Sequence, residues 1–182
     1  MTGLTLVSVG SIGPPLLEYL AIILGETLGC DARLDARRLS PEFAYDPLRR
    51  QHESTRILDA LIEGWGGEGE EKLLGVAECD LFIPILTFVF GEAQLGGRGA
   101  VLSIARLEQT FYGLPDDPAL LYRRTEKEAL HEIGHTFGLV HCSDYGCVMH
   151  FSNSIEEVDL KGDRFCAACA AGIAARGRDP RA

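Results

Sequence analysis

The segment His131-Glu132-Ile133-Gly134-His135-Thr136-Phe137-Gly138-Leu139-Val140-His141 constrains this chain more than any other. Four of the five histidines lie between positions 131 and 150, a concentration that core packing does not require. On a helix, His131 and His135 stand one turn apart on the same face, so both imidazoles reach one ion. Glu132 lies beside that face, near enough to take a proton from a metal-activated water without being a ligand. Gly138 accommodates the left-handed conformation that stops a helix, and the returning chain then offers His141 as a third nitrogen. Three protein ligands leave a fourth position open, which is the arrangement of catalytic rather than structural zinc. An ion so held acidifies water, and Glu132 as general base passes the proton to the leaving amine of a peptide bond.

The bland alternative is a helix that carries two histidines by accident. A short H-E-x-x-H match tolerates it, but at average composition all five fixed positions match by chance in about one chain of this length in a hundred thousand. A second class of function also fits: a zinc-stabilised module that binds peptides and does not cut them. The discriminating residue is Glu132, for which such a module has no use.

The pattern H-E-x-x-H-x-x-G-x-x-H followed by a methionine turn is the metzincin signature, and Met149 follows in Cys147-Val148-Met149. Cys142 comes directly after His141, with Cys147, Cys166 and Cys169 beyond. In these features the chain resembles the archaemetzincins, metzincin-like proteins with a four-cysteine zinc site around the methionine turn. The motifs cover residues 131 to 169, and weaker similarity runs over most of the chain. The segment between Met149 and Cys166 is one residue shorter than the family pattern, a difference that a surface loop absorbs. The resemblance implies an α+β, metzincin-like fold: a twisted mixed sheet with helices, a long active-site helix and a small zinc-stapled C-terminal lobe. It implies two zinc ions, a catalytic one on His131, His135 and His141 and a structural one on Cys142, Cys147, Cys166 and Cys169. It also implies peptide hydrolysis with Glu132 as the base, and leaves endopeptidase and aminopeptidase action on short peptides both open.

A length of 182 residues fits one domain with a substantial core. The expected division is an N-terminal lobe over about 1–138, a zinc-bound lobe over about 139–175 and a tail over 176–182. A net charge of −10 disfavours nucleic-acid partners and anionic membranes. No export signal is visible, since Leu16 to Leu24 is interrupted by Glu18, and the longest apolar run, Leu81 to Phe90, is too short to span a bilayer. The expectation is a cytoplasmic protein, a monomer although nothing in the sequence sets its oligomeric state, with a peptide or protein as substrate. Six cysteines allow three disulfides, but a chain without an export signal keeps its thiols reduced. The C-x4-C and C-x2-C spacings of the last four are those of zinc ligands, whereas Cys30 and Cys79 read as small buried hydrophobes.

Along the chain, Leu4 to Val9 reads as a buried strand ending at Gly10. Pro14 and Pro15 open a helix to Leu28 with Gly29 as its stop, and Ala32 to Arg38 reads as the next strand. Ser40 to Pro47 reads as a loop, and Arg49 to His52 as the lead into a helix with Ile57, Leu58, Leu61 and Ile62 on one face. His52 is a surface or helix-start residue. Gly64 to Gly69 reads as an exposed turn, and Lys72 to Ala77 fits either a short helix or a strand. Leu81 to Phe88 reads as a buried strand, followed by strands over Val89 to Leu95 and Gly99 to Ala105. By the resemblance, the first of that last pair is an antiparallel edge strand to which a peptide substrate adds; Glu92 on it is expected in solvent, with a substrate's amino terminus as its alternative partner. Asp117 and Pro118 start the histidine helix, which ends near Phe137. After His141 the chain reads as irregular, with Met149 an apolar floor under the histidines, His150 outside both metal sites and a short last helix from Cys166.

Overall fold

Leu4–Val9 (β1) is buried at every position, as the centre of a sheet covered on both faces requires. A computed structural model describes residues 3–65 and 71–176. Pro14–Leu28 (α1) starts on its two prolines, whose missing N–H groups would have no partner in a first turn, and stops at Gly29, φ 64°. Ala32–Leu39 (β2) then returns parallel to β1.

Two short strands, Tyr45–Asp46 (β3) and Gln51–Glu53 (β4), occupy stretches expected to be loop and helix lead-in. They pair with each other, and His52 sits in β4 half-buried against the Tyr45 ring, so it is no helix-start residue. Ser54–Gly64 (α2) buries Ile57, Leu58 and Leu61. The glycine-rich turn expected over 64–69 falls, from residue 66 on, outside the described residues, as does the chain after 176. Lys72–Ala77 (β5), ambiguous in sequence, is a strand at the middle of the main sheet.

One expected strand is corrected. Only Leu81–Phe82 (β6) of the run to Phe88 lies in a sheet, the small one formed with β4. The rest swings outward, with Ile85 86% exposed. Pro84 has no N–H to offer a ladder, and Arg49 instead donates to the carbonyls of Leu86 (2.8 Å) and Pro84 (3.2 Å). Gly91–Ala93 (β7) runs antiparallel to Gly99–Ser103 (β8), which completes a main sheet of order β2-β1-β5-β8-β7.

Side chains alternate across that sheet. Leu4, Leu6, Leu74, Val76, Ala100 and Leu102 face α1 and the long helix Pro118–Thr136 (α3), while Val9, Ala77 and Val101 pack on α2. Asp117 caps α3 by accepting from the Leu120 N–H at 2.9 Å, with Pro118 at the first helical position as expected. Beyond His141 two helices interrupt the irregular chain: Ile155–Leu160 (α4), which the sequence did not announce, and Ala167–Arg176 (α5). Among the described residues no helix is long and apolar enough to cross a membrane.

Candidate active site

The C-terminal end of α3 lies under β7, the edge of the main sheet, and carries His131 and Glu132, both buried, with His135 half-buried beside them. His131 Nδ1 lies 2.9 Å from the Val148 carbonyl and His135 Nδ1 lies 2.7 Å from that of Leu139. A carbonyl only accepts, so each Nδ1 must carry the proton and each Nε2 must present a lone pair. Those two Nε2 atoms face each other at 3.1 Å. Two lone pairs at hydrogen-bond distance with no proton between them are satisfied by a shared cation, which is how carbonyl-oriented imidazoles meet a metal.

Gly138 adopts φ 71°, and Gly138 N–H and Leu139 N–H close the end of α3 on the carbonyls of His135 (2.7 Å) and Gly134 (3.2 Å). The reversal brings His141 to the other two rings, with centroids 5.3 Å from His131 and 5.0 Å from His135. Nitrogens of all three histidines lie within 4.8 Å of one another, a set able to hold an ion. Met149 is fully buried beneath them: a Cβ on Gly134 would lie 2.4 Å from its sulfur, so the helix needs glycine there to sit on the methionine.

The second cluster adjoins the first. Sulfurs of Cys142, Cys147, Cys166 and Cys169 lie within 4.8 Å of one another, and all four are free thiols. The Cys142 N–H donates to the Met149 carbonyl at 2.9 Å, so the segment that holds one cluster is bonded to the floor of the other. His150 belongs to neither; its Nδ1 bonds the Cys142 carbonyl at 2.9 Å and its ring packs on Tyr145. Cys30 and Cys79 belong to neither cluster and are half-buried, packed on opposite faces of the sheet.

Above the histidines a cleft of about 510 Å³ runs between β7, the 83–88 segment and residues 151–153. Its walls are mostly apolar, among them Leu86, Val140 and Phe151, and its polar lining includes the three histidines and Glu132. Burial, then the adjacent Glu128 carboxylate, pushes the Glu132 carboxyl well above the usual carboxylate range, with Lys161 pulling the other way. Glu92 also lines the cleft, but it is not free in solvent: its carboxylate accepts from the hydroxyls of Ser54 and Thr55 at the start of α2.

The sequence pattern that describes peptidase family M54 matches residues 44–175. The chain belongs to peptidase family M54. The archaemetzincin of Methanocaldococcus jannaschii is 44% identical over 169 residues, which span 93% of this chain and 91% of the relative. Among solved structures, the archaemetzincin of Methanopyrus kandleri superposes with a TM-score of 0.83 at 38% identity, covering 98% of this chain and 96% of that one. A zinc-dependent peptidase from Methanocorpusculum labreanum superposes at 0.84 with 28% identity, covering 94% and 100%. The M54 match takes in both clusters and the cleft above them, and the metzincin-like fold implied by the resemblance is the one observed.

Two residues in the M54 cleft were missed in the sequence. Glu128 and Lys161 are both buried, they line the cleft, and they lie 2.7 Å apart. Glu128 is one helical turn before Glu132 and so carried a faint signal; Lys161 reaches the site only through tertiary folding.

Proposed function

We propose that this chain is a zinc-dependent peptidase in which His131, His135 and His141 hold the catalytic ion and Glu132 is the general base. Cys142, Cys147, Cys166 and Cys169 hold a second, structural zinc. The observation that carries the reading is the pair of facing Nε2 lone pairs, each fixed by a carbonyl behind its ring. Zinc bound there supplies a Lewis acid that activates water and polarises a peptide carbonyl. The remaining work belongs to the chain itself. β7 is a sheet edge beside the cleft, and an extended peptide adds to such an edge by backbone hydrogen bonds. Glu132, buried beside the histidines, takes the proton of the attacking water and delivers it to the leaving nitrogen. The apolar walls keep other water away.

On this reading Glu92, held by Ser54 and Thr55 at the cleft, receives a substrate's ammonium group, which favours removal of residues from the amino end of short peptides. The chain acts as one domain, with a lobe over about 1–138 and a cysteine-stapled lobe over about 139–175. Six cysteines, none in a disulfide, suit a reducing, cytoplasmic setting, and a monomer suffices because every site residue comes from one chain. The test is incubation of the zinc-loaded protein with a mixed peptide library, followed by mass spectrometry. Stepwise loss of amino-terminal residues is expected. Internal cleavage would overturn the aminopeptidase assignment, and a library left intact would overturn the peptidase reading.

A further inference from the structure

A polar stripe runs along α3 into the histidine site. Arg124, Lys127, Glu128 and His131 fall at positions i, i+3, i+4 and i+7 and share one face, and the first three all engage the α4 region. Arg124 makes a two-pronged contact with Asp159, both distances 2.7 Å. The Lys127 ammonium donates to the carbonyls of Val158 (2.9 Å), Asp159 (2.8 Å) and Lys161 (2.8 Å). These are carbonyls at the end of α4, where no further helical N–H is available to them. Arg124 and Lys127 therefore dock α4, and the docking delivers Lys161 to a site it could not reach by sequence proximity.

There its Nζ lies 2.7 Å from Glu128 Oε1, both side chains at most 4% exposed. The contact is an ion pair, not an aligned hydrogen bond, since Oε1 has no hydrogen-bond partner. The same Nζ lies 3.5 Å from His131 Nδ1. That nitrogen already gives its proton to Val148, so Nζ faces another donor and gains no hydrogen bond from it. A buried positive charge thus stands directly behind an imidazole whose front nitrogen points at the cation position. Alone it would oppose a dication; Glu128 cancels it.

We infer that Glu128 and Lys161 are positioning residues of the metal site, a pair that is neutral as a unit and sets the charge felt by an ion on the three histidines. The inference rests on the zinc-peptidase reading. It predicts a sign, which packing alone does not. Loss of the Glu128 charge leaves Lys161 uncompensated and weakens the ion; loss of the Lys161 charge leaves an anion nearby and does not. Removing both restores balance, and α4 stays docked because Arg124 and Lys127 are untouched.

The experiment compares wild type, Glu128→Gln, Lys161→Met and the double variant, each loaded with zinc. Zinc released to a chromophoric chelator is titrated at one fixed pH, and thermal melts of the proteins stripped of the labile zinc alone check that each is folded. Glu128→Gln should bind the labile zinc about 10–100-fold more weakly, the range for partners that orient metal ligands. Lys161→Met should bind it at least as tightly as wild type, and the double variant should lie near wild type. Weakening in both single variants, with the double weakest, would mean simple packing and overturn the inference. Should Glu128→Gln fail to fold, the other two variants still decide: a Lys161→Met protein weaker than wild type overturns it. Absence of chelator-labile zinc in wild type would instead bring down the functional reading beneath it, and the inference with it.

Discussion

Gly91 and Glu132 compete for one space: a Cβ on Gly91 would lie 2.6 Å from both Cγ and Oε1 of the glutamate. The absence of a side chain on the edge strand is what lets the carboxylate lie beneath it, at the cleft. Gly91→Ala should therefore displace the Glu132 side chain while leaving the histidines and their ion in place. Misplacement of a catalytic group by about an ångström costs on the order of 10²-fold in rate. Steady-state kinetics and zinc content on the purified variant check this: a lower kcat with full zinc is expected, and unchanged kcat would show that Glu132 does not act from this position.

Glu132→Gln preserves the shape of the side chain and removes its basicity. Zinc content should be that of wild type, and kcat should fall by ~10²–10⁴-fold, the usual worth of a proton shuttle. Equal rates for the two proteins on any peptide the wild type cleaves would sink the assignment.

The two clusters should release metal in order. The histidine cluster opens onto the cleft, whereas four thiolates would close the shell of an ion bound at the cysteine cluster. Added chelator should first remove one zinc and all activity with little change in circular dichroism. Simultaneous loss of both ions with unfolding would show that the sites are one.

Replacement of Cys166 by Ser should reach the histidines although none has changed. Cys142, in the same cluster, adjoins His141 and bonds the carbonyl of Met149 at 2.9 Å, so loss of the staple frees the third histidine and the floor together. Zinc per chain should drop from two to one or none, with activity lost. Full activity with a single zinc would refute the staple.

Burial pushes the Cys79 thiol up to about 12, from an ordinary value of 9.0. The folded chain thus favours the neutral thiol, and its contribution to stability is complete below the ordinary value and is lost as pH rises toward 12. Urea unfolding at pH 8 and pH 10 should show a smaller alkaline loss in Cys79→Ala than in wild type. In native protein at pH 8, mapped alkylation should leave Cys79 unlabelled; rapid labelling there would contradict its burial.

What was legible in the sequence was whatever local spacing encodes. The proline start and glycine stop of α1 and the Asp117 cap each lie within a few residues and fell where expected, and the histidines and the four cysteines that the motif spacing singled out are each gathered into a cluster. The Leu81 to Phe88 run misled because an apolar run marks burial without saying in what. Its second half walls the cleft, held by Arg49 and by Gln51, whose Nε2 donates to the Thr87 carbonyl at 2.9 Å. Lys72 to Ala77 could not be decided because β5 is covered on both faces and so has no two-residue alternation to read. Glu92 looked solvated because its hydroxyl partners, Ser54 and Thr55, lie on another element. Lys161 was invisible for the same reason.

The carbonyl behind His131 belongs to Val148, and the sulfur beneath Gly134 belongs to Met149. Both are made after the last of the three histidines. A nascent chain that has left the ribosome only as far as His141 already carries every residue of the histidine motif, yet lacks the groups that aim the first ring and support the helix end. The geometry that aims the first ring and supports the helix end therefore forms only once residues 148 and 149 are in place.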